Sequence, residues 1–322
     1  MKQQQNSYKT LTDLSKQLLR SRQLPIYSSR FSRKDFTTYQ LMTLLVAKTY
    51  ENKGYRTFVE WLEASHLPKW LGLNKIPHYT TLQKFASRQL IKQLEKLLLA
   101  SGTMAKKACE HAGLDATGMT LHHASRHYEK RVGTHVLKRG FLKCTIAADL
   151  DNQLVWAVKM RKRPRGDIKD FTPLWNKIRH LDFRWWYADK GYDAESAFRA
   201  VQDADKISFG CIRDKTRQRY RMKGKARRRA SGYSRYRQKN WRALIETMNS
   251  VIKGRFGSVV QARSLHNIKV EMLLKLITYN LYRLGTRNLA KIASLLARFF
   301  GRFWSMLCHA PLGWPLPGAL PE

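Results

Sequence analysis

Three acidic residues of this chain stand in positions where carboxylates could do chemistry. Asp115 is predicted to end a short apolar strand, and Asp189 closes an aromatic strand at residues 184–188. Glu246 lies in a segment whose remaining positions suit a helix packed on a sheet. The helical spacing of four, three and four residues places one polar stripe on that helix. The stripe contains Arg242, Glu246, Asn249 and Lys253.

Carboxylates that lie close together repel one another, so they either shift their pKa values or bind a hard cation. Ligand sets made only of oxygen favour Mg²⁺ or Mn²⁺. Two such ions about 3.5–4 Å apart can clamp the attacking and leaving oxygens of a phosphoryl transfer, and Arg242 and Lys253 would hold neighbouring phosphates. Spacing alone leaves a second interpretation open, in which Asp115 and Asp189 are turn residues and Glu246 pairs with Arg242.

The charge balance of the chain indicates what kind of partner these acids would meet. The 322 residues include 61 Lys+Arg against 23 Asp+Glu, a formal net charge of +38 with a pI near 10.4. Such an excess opposes compaction and is typical of proteins that bind a polyanion, most often nucleic acid. An anionic membrane surface is the other candidate. Hydrophobic residues make up 43%, which is enough for a core and excludes a disordered basic tail.

About a third of the charge excess lies in residues 213–239, which contain 13 Lys/Arg and one Asp. Such a loop would contact several phosphates and make binding fall steeply with salt. Tyrosines interleaved with it could stack on unpaired bases. A solvated loop without a partner is the alternative. The DNA-binding residues predicted here and beside the acids are Lys190, Arg217, Arg219, Arg221, Arg227, Arg228, Arg229, Arg242 and Lys253.

Several other sites are disfavoured. The four cysteines form no CxxC pair, which argues against a zinc ribbon or disulfide framework and favours a reducing compartment. His122, His123 and His127 cluster without the spacing of a zinc site. The N-terminus lacks a signal-peptide core, and no apolar run is long enough to cross a membrane. We therefore expect a cytoplasmic protein.

The elements that would position these residues fall into two groups. Residues 1–107 read as helical, with helices over 36–50, 55–64 and from Thr80 or Thr81 to about 100. Ser32 and Asp35 are capping candidates for the first of these. The last helix would turn Leu82, Phe85, Leu90, Leu94 and Leu97 or Leu98 into the core. It would point Gln83, Lys84, Ser87 and Arg88 outward, as in a helix-turn-helix-like DNA reader. A helical packing or dimerisation domain remains the alternative.

From about Cys109 the pattern changes to short strands. Two β-rich runs joined at residues 149–152 predict a hairpin, and Asp167 is a predicted helix cap. Strands and helices then alternate, ending in helices over about 236–253 and 267–284. The resulting order of three strands followed by α, β, α, β, α and α predicts a mixed sheet with helices on its faces.

Three motifs connect this pattern to a known family. They are Asp115-Ala-Thr-Gly118, Tyr187-Ala-Asp-Lys-Gly-Tyr192, and Arg242-x3-Glu246-x6-Lys253-x2-Phe256-Gly257. Together they resemble the DDE transposases of prokaryotic insertion sequences, in the branch with a Tyr-x2-Arg-x3-Glu-x6-Lys signature. The resemblance covers about 110–285. One position departs, since Lys239 stands where the signature has Tyr, with Tyr236 a turn earlier.

The resemblance implies an α/β protein with an RNase H-like mixed β-sheet flanked by helices, preceded by an all-α domain. Residues 1–107 would recognise DNA ends, 108–285 would form the catalytic domain with its basic loop 213–239, and 286–322 would add a helix and an unassigned tail. Asp115, Asp189 and Glu246 would be the catalytic acids and would bind two Mg²⁺ (or Mn²⁺) ions for DNA cleavage and strand transfer.

The expected partners are double-stranded DNA, as terminal inverted repeats and as target, and a second copy of the chain in the DNA complex. No membrane is expected, and the protein would be nucleoid-associated. Two rivals remain: an RNase H-like nuclease or junction resolvase without strand transfer, and a non-enzymatic basic DNA-binding protein left by an inactive transposase.

Overall fold

The fold is a mixed sheet held between two helical layers. The computed structural model describes residues 2–27, 30–31, 33–121, 140–162, 165–210, 212, 223–233 and 241–308, with side chains described between 7 and 287 except 210. Within these ranges, none of the helices combines the length and the apolar character needed to span a bilayer.

Six helices precede the sheet, as the apolar periodicity predicts. They are α1 (Lys2–Ser21), α2 (Thr38–Tyr50), α3 (Tyr55–Glu63), α4 (Leu67–Leu71), α5 (Tyr79–Ser87) and α6 (Ile91–Gly102). The predicted caps of α2 are wrong. Thr37 caps this helix through a reciprocal capping box with Gln40. Asp35 instead pairs with Lys75, and Ser32 lies outside the described residues.

The single helix predicted to start at Thr80 or Thr81 is in fact two helices. α5 ends at Ser87, and α6 begins at Ile91. The break exposes Leu90, whose side chain was expected in the core, while Leu82 and Leu94 on either side are fully buried. The N-cap position of α5 is His78, whose Nδ1 lies 2.8 Å from the hydroxyl of Thr80.

The sheet has six strands in the described residues. They are β1 (His111–Leu121), β2 (Phe141–Asp149), β3 (Leu154–Arg161), β4 (Trp185–Ala188), β5 (Ile207–Gly210) and β6 (Val259–Val260). The order is β3-β2-β1-β4-β5, with β6 beside the end of β1. The first three strands are antiparallel neighbours, and β4 and β5 run parallel to β1. This arrangement confirms the predicted RNase H-like mixed sheet.

The hairpin between β2 and β3 forms where the sequence predicts it. The carboxylate of Asp149 accepts hydrogen bonds of 2.8 and 2.7 Å from the backbone and the side-chain amide of Asn152. These bonds satisfy the turn, and Gln153 takes the left-handed conformation (φ 52°) that closes it.

Five further helices in the described ranges cover the sheet. They are α7 (Ile168–Ile178), α8 (Glu195–Gln202), α9 (Lys225–Tyr233), α10 (Trp241–Phe256) and α11 (Leu265–Cys308). One face of the sheet packs on α7 and α8 around Trp175 and Trp186. The other face shares a core with α10, α11 and the N-terminal helices. Helix α9 and strand β6 were not predicted, and α11 is longer than expected.

The N-terminal helices are joined to the sheet by close polar packing. Asn280 of α11 exchanges hydrogen bonds with the backbone of Val155 on β3 and donates to the hydroxyl of Ser101 on α6. A Cβ on Gly102 would lie 2.4 Å from the carbonyl oxygen of Val155, so only glycine allows α6 this approach. The domain limits at 107 and 285 stay a prediction.

Candidate active site

Two of the predicted acids are brought side by side by the parallel pairing of β1 and β4. Leu114 pairs with Ala188, so Asp115 and Asp189 follow at the same level of the sheet. Asp189 is extended (φ −76°, ψ 169°) and leads into a 3₁₀ turn at Lys190–Tyr192. The structure therefore places both carboxyl groups on β1 and directly after β4, where the order of the strands in the sheet reverses. Sheets of α/β proteins commonly bind ligands at such a point.

The position of Asp115 corrects the sequence prediction. It was expected at a strand end, but it lies in the middle of β1. The strand continues because β2 pairs with it as far as Thr120 and β6 pairs with its last two residues. These partners are distant in sequence, so local patterning could not indicate them.

Helix α10 supplies the third acid and crosses the same face of the sheet. Its Ile245, Met248 and Ile252 are buried in the core shared with β1 and β2. The polar stripe of α10 runs beside this buried face, and Asn249 of the stripe is buried with it. Asn249 donates from Nδ2 to Oδ2 of Asp115 at 2.9 Å.

Arg242 connects the other two acids. Its guanidinium lies 3.1 Å from Oδ1 of Asp189 and 3.2 Å from Oε1 of Glu246. All three side chains are 40–57% exposed, so these ion pairs are screened and contribute little to stability. Glu246 therefore pairs with Arg242, as one interpretation of the spacing predicts. It also lies near Asp115 and Asp189, as the other interpretation predicts.

The electrostatics of the site show that the three acids act on one another. Burial raises the pKa of Asp115, and the charges of Glu246 and Asp189 raise it further. A hydrogen bond from the backbone of Ala116 and the charge of Arg242 oppose this rise. The site thus holds more negative charge than its single guanidinium balances, which is the condition under which a cation binds.

The donor set fits a hard divalent cation. Every candidate ligand atom is an oxygen, and the side-chain oxygen of Asn249 is buried with no hydrogen-bond partner among the described residues. The oxygen atoms of the three carboxylates do not converge on one point, because the guanidinium of Arg242 lies between Asp189 and Glu246. Glu246 is more than half exposed.

Asn249 is the site residue whose role the sequence did not indicate. Asn249 belongs to the polar stripe on α10. Its role in the site is shown only by its hydrogen bond to Asp115, which lies on a different element of the fold. An asparagine three residues after a predicted catalytic glutamate, on the same helical face, is the signal that could have found it.

A buried ionic network lies on the other side of the sheet, beneath the turn that follows Asp189. The ammonium of Lys143 on β2 lies 2.5 Å from Asp167 and 3.3 Å from Asp170, and both Lys143 and Asp170 are buried. A Cβ on Gly191 would lie 2.5 Å from the carboxylate of Asp167. Asp167 stands at the cap position of α7 as predicted, but its side chain makes no cap hydrogen bond. It packs against the turn at Gly191 instead.

The predicted DNA-binding residues near the acids occupy different surroundings. Lys190 is exposed and directly follows Asp189. Lys253 lies two turns along α10 from Glu246, about 10 Å along the helix axis. There its charge opposes the burial that raises the pKa of Cys144 to about 12.

The basic helix α9 is anchored beside the second acid. Arg227 makes a bidentate ion pair with Asp193 at 2.7 and 2.5 Å, and the carboxylate of Glu195 accepts from the backbone of Ala226 and Arg227. Arg228 and Arg229 are exposed. Several predicted positions lie outside the described residues: His122, His123, His127, Arg217, Arg219, Arg221, Tyr236, Lys239 and the tail from 309.

One other group of possible metal ligands occurs in the described residues. Cys109, Asp149 and Asp151 offer atoms within 4.8 Å of one another. Their acceptors are already used, because Asp151 accepts from the backbone of Glu110 and His111 at 2.8 Å and Asp149 accepts from Asn152. Burial raises the pKa of the Cys109 thiol, which keeps it protonated. We interpret this group as a turn that fixes the start of β1.

The fold and the site together define an RNase H-like protein whose acids lie on its first strand, after its fourth strand and on a late helix. A family model described as Transposase DDE domain matches residues 110–281, just over half of the chain. No curated protein matches the chain at a significant level. The chain belongs to the DDE transposases of insertion-sequence type. This family acts on DNA and usually uses divalent metal ions to cut it.

Proposed function

We propose that this protein binds the ends of an insertion sequence and catalyses their Mg²⁺-dependent cleavage and strand transfer. The observation that carries the proposal is the meeting of Asp115, Asp189 and the polar stripe of α10 at one place on the sheet. That meeting lies within the region that matches the transposase family.

The residues divide the work by their chemistry. Asp115, Asp189 and Glu246 supply carboxylate oxygens for metal ions, and Asn249 holds one oxygen of Asp115 in place. Two Mg²⁺ ions held by these carboxylates would supply Lewis-acid stabilisation of the attacking and leaving oxygens. Arg242 is 43% exposed and can transfer its guanidinium from the acids to a DNA phosphate. Lys253 and Lys190 add positive charge on either side of the acids.

The wider surface supports DNA as the substrate. Exposed Arg228 and Arg229 extend the positive charge away from the acids along α9, while Arg227 holds that helix against Asp193. The N-terminal helices would recognise the terminal repeat. Because two ends are joined in transposition, we infer that two copies of the chain meet in the DNA complex.

A strand-transfer assay separates this function from its main rival. The substrates are a pre-cleaved duplex ending in the terminal repeat that flanks the gene, and a plasmid as target. A transposase joins the free 3′-OH to the plasmid by direct transesterification, which needs no ATP because one phosphodiester replaces another. Hydrolysis without joined products would indicate an RNase H-like nuclease, and binding without either reaction would indicate a non-enzymatic DNA-binding protein.

A further inference from the structure

A cavity of about 560 Å³ lies between the N-terminal helices and the end of the catalytic region, away from the three acids. One wall comes from the end of α2 and the start of α3, and a second from α5. The third wall comes from β6, the loop after it and the first turns of α11. The volume is in the range of a ligand site rather than a packing defect.

Positive charge dominates this cavity. Lys48, Lys53, Arg263 and Lys275 line it against one acid, Glu271. That acid is already occupied, because it accepts hydrogen bonds from the backbone of Gln261 and Ala262 and lies 3.6 Å from Lys275. Lys275 in turn donates to the carbonyl oxygens of Gly257 and Val259. Lys53 lies 3.8 Å from Glu51, at the outer limit of an ion pair.

Two of the cations have no such partner. Neither Lys48 nor Arg263 makes an ion pair or hydrogen bond within the described part of the chain. The ammonium of Lys48 sits 4.5 Å from the centre of the Tyr55 ring, and burial lowers its pKa below the ordinary value of lysine. A desolvated ammonium beside an open cavity is satisfied when an anion enters.

The remaining lining suits a sugar-phosphate backbone. Amide and hydroxyl side chains of Asn52, Gln83, Ser87, Ser264 and Asn267 face the cavity. Gln83 and Ser87 belong to the exposed face of α5 that the sequence predicts for DNA reading. Phosphates in protein–DNA complexes are held by this combination of cations and neutral donors.

Helix α10 connects the cavity to the acids. Phe256 lines it and ends α10, ten residues after Glu246, which is about 15 Å along the helix. Lys253 lies between them on the same helix. One strand of duplex DNA has a phosphate about every 3.4 Å of the duplex axis, so a separation of this length along that axis corresponds to roughly four nucleotides.

We propose that this cavity binds a backbone phosphate of the DNA strand that is cut, several nucleotides from the scissile bond, through Lys48 and Arg263. The inference rests on the proposed function for the identity of the DNA. It adds a contact that ties the N-terminal helices and the catalytic region to the same strand.

The test is a binding measurement in EDTA, where no cleavage occurs. Duplexes carrying the flanking terminal repeat, each with one uncharged methylphosphonate at a scanned position, are titrated with the parent protein, Lys48→Met and Arg263→Gln by fluorescence anisotropy. Lys92→Met is the matched control, because Lys92 is an exposed lysine on α6 outside the cavity. Urea unfolding of each variant confirms that it folds.

We expect Lys48→Met and Arg263→Gln each to weaken binding about 3- to 10-fold and to reduce the slope of log affinity against log salt by about 0.9. One methylphosphonate, several nucleotides from the cut, should weaken binding by the parent and Lys92→Met, and should weaken binding by Lys48→Met and Arg263→Gln much less, because each of these two variants has already lost one of the two contacts to that phosphate. Unchanged affinity and slope in both cavity variants, or a full methylphosphonate effect in Lys48→Met, overturns the proposal. If the parent protein shows no strand transfer, the proposed function is rejected. The binding measurements would still decide whether the cavity holds a DNA phosphate.

Discussion

Replacing Asn249 with leucine should separate metal binding from stability. The two side chains have similar volume, but leucine removes both polar atoms of the amide. The nitrogen of that amide donates to Asp115 at 2.9 Å, and its buried oxygen has no partner among the described residues. The nitrogen positions a proposed metal ligand. The oxygen is buried away from water, and no hydrogen bond from the described part of the chain replaces the hydration that it has lost.

These two atoms predict effects of opposite sign. A hydrogen bond to a charged group is worth about 1.5–3 kcal/mol, and groups that orient metal ligands contribute about 10- to 100-fold to metal affinity. We therefore expect Asn249→Leu to bind Mn²⁺ about 10-fold or more weakly. Removing an unsatisfied buried oxygen recovers about 1–3 kcal/mol, which largely offsets the lost hydrogen bond, so the free energy of unfolding should stay within about 1 kcal/mol of the parent's.

Electron paramagnetic resonance titration with Mn²⁺ measures the affinity, and urea unfolding in EDTA measures the stability. Ser250→Leu is the matched control, because Ser250 is exposed on the neighbouring position of α10. Metal affinity equal to that of the parent would refute the positioning role of Asn249. A loss of stability that parallels the loss of affinity would show that the residue is merely structural.

Three further predictions concern the elements around the site. Gly191→Ala should destabilise the protein by about 1–3 kcal/mol through contact with the Asp167 carboxylate, and in urea unfolding the same substitution should cost much less when it is made in an Asp167→Ala background. Arg227→Met should cost about 3 kcal/mol, because it removes the guanidinium that pairs with the Asp193 side chain, which is 1% exposed; equal urea midpoints for variant and parent would contradict this. Burial would raise the pKa of Asp151, but backbone and His111 hydrogen bonds outweigh it and lower the pKa. The carboxylate therefore stabilises the fold above the ordinary pKa of aspartate and loses this effect as pH falls through the lowered value, so Asp151→Asn should flatten the acid side of a stability–pH curve.

The sequence predicted those features that depend on local pattern or on composition. Acids are scarce in this chain, so carboxylates beside strands and on a polar helical stripe stood out, and the structure places Asp115, Asp189 and Glu246 around Arg242. The hairpin at Asp149 was equally visible, because its turn is closed by neighbours in sequence.

Features that depend on distant partners could not be predicted in this way. The extension of β1 past Asp115 depends on pairing with β2 as far as Thr120 and with β6 at its last two residues, and β6 lies more than a hundred residues away. The contact of Asn249 with Asp115 and the packing of Asp167 on Gly191 arise only when separate elements meet. Leu90 misled the helix prediction because a short break in the chain turned an apolar residue to solvent.

We propose that Asp115, Asp189 and Glu246 form a metal-dependent site for cutting DNA. A comparison of the parent with Glu246→Gln tests this site on duplexes carrying the flanking terminal repeat, with DNA binding in EDTA and cleavage in Mg²⁺ recorded for both. We expect the parent to cleave only when Mg²⁺ is present, and Glu246→Gln to bind the same DNA with parental affinity without cleaving it. Cleavage by Glu246→Gln at the parental rate would show that Glu246 does not belong to the catalytic site.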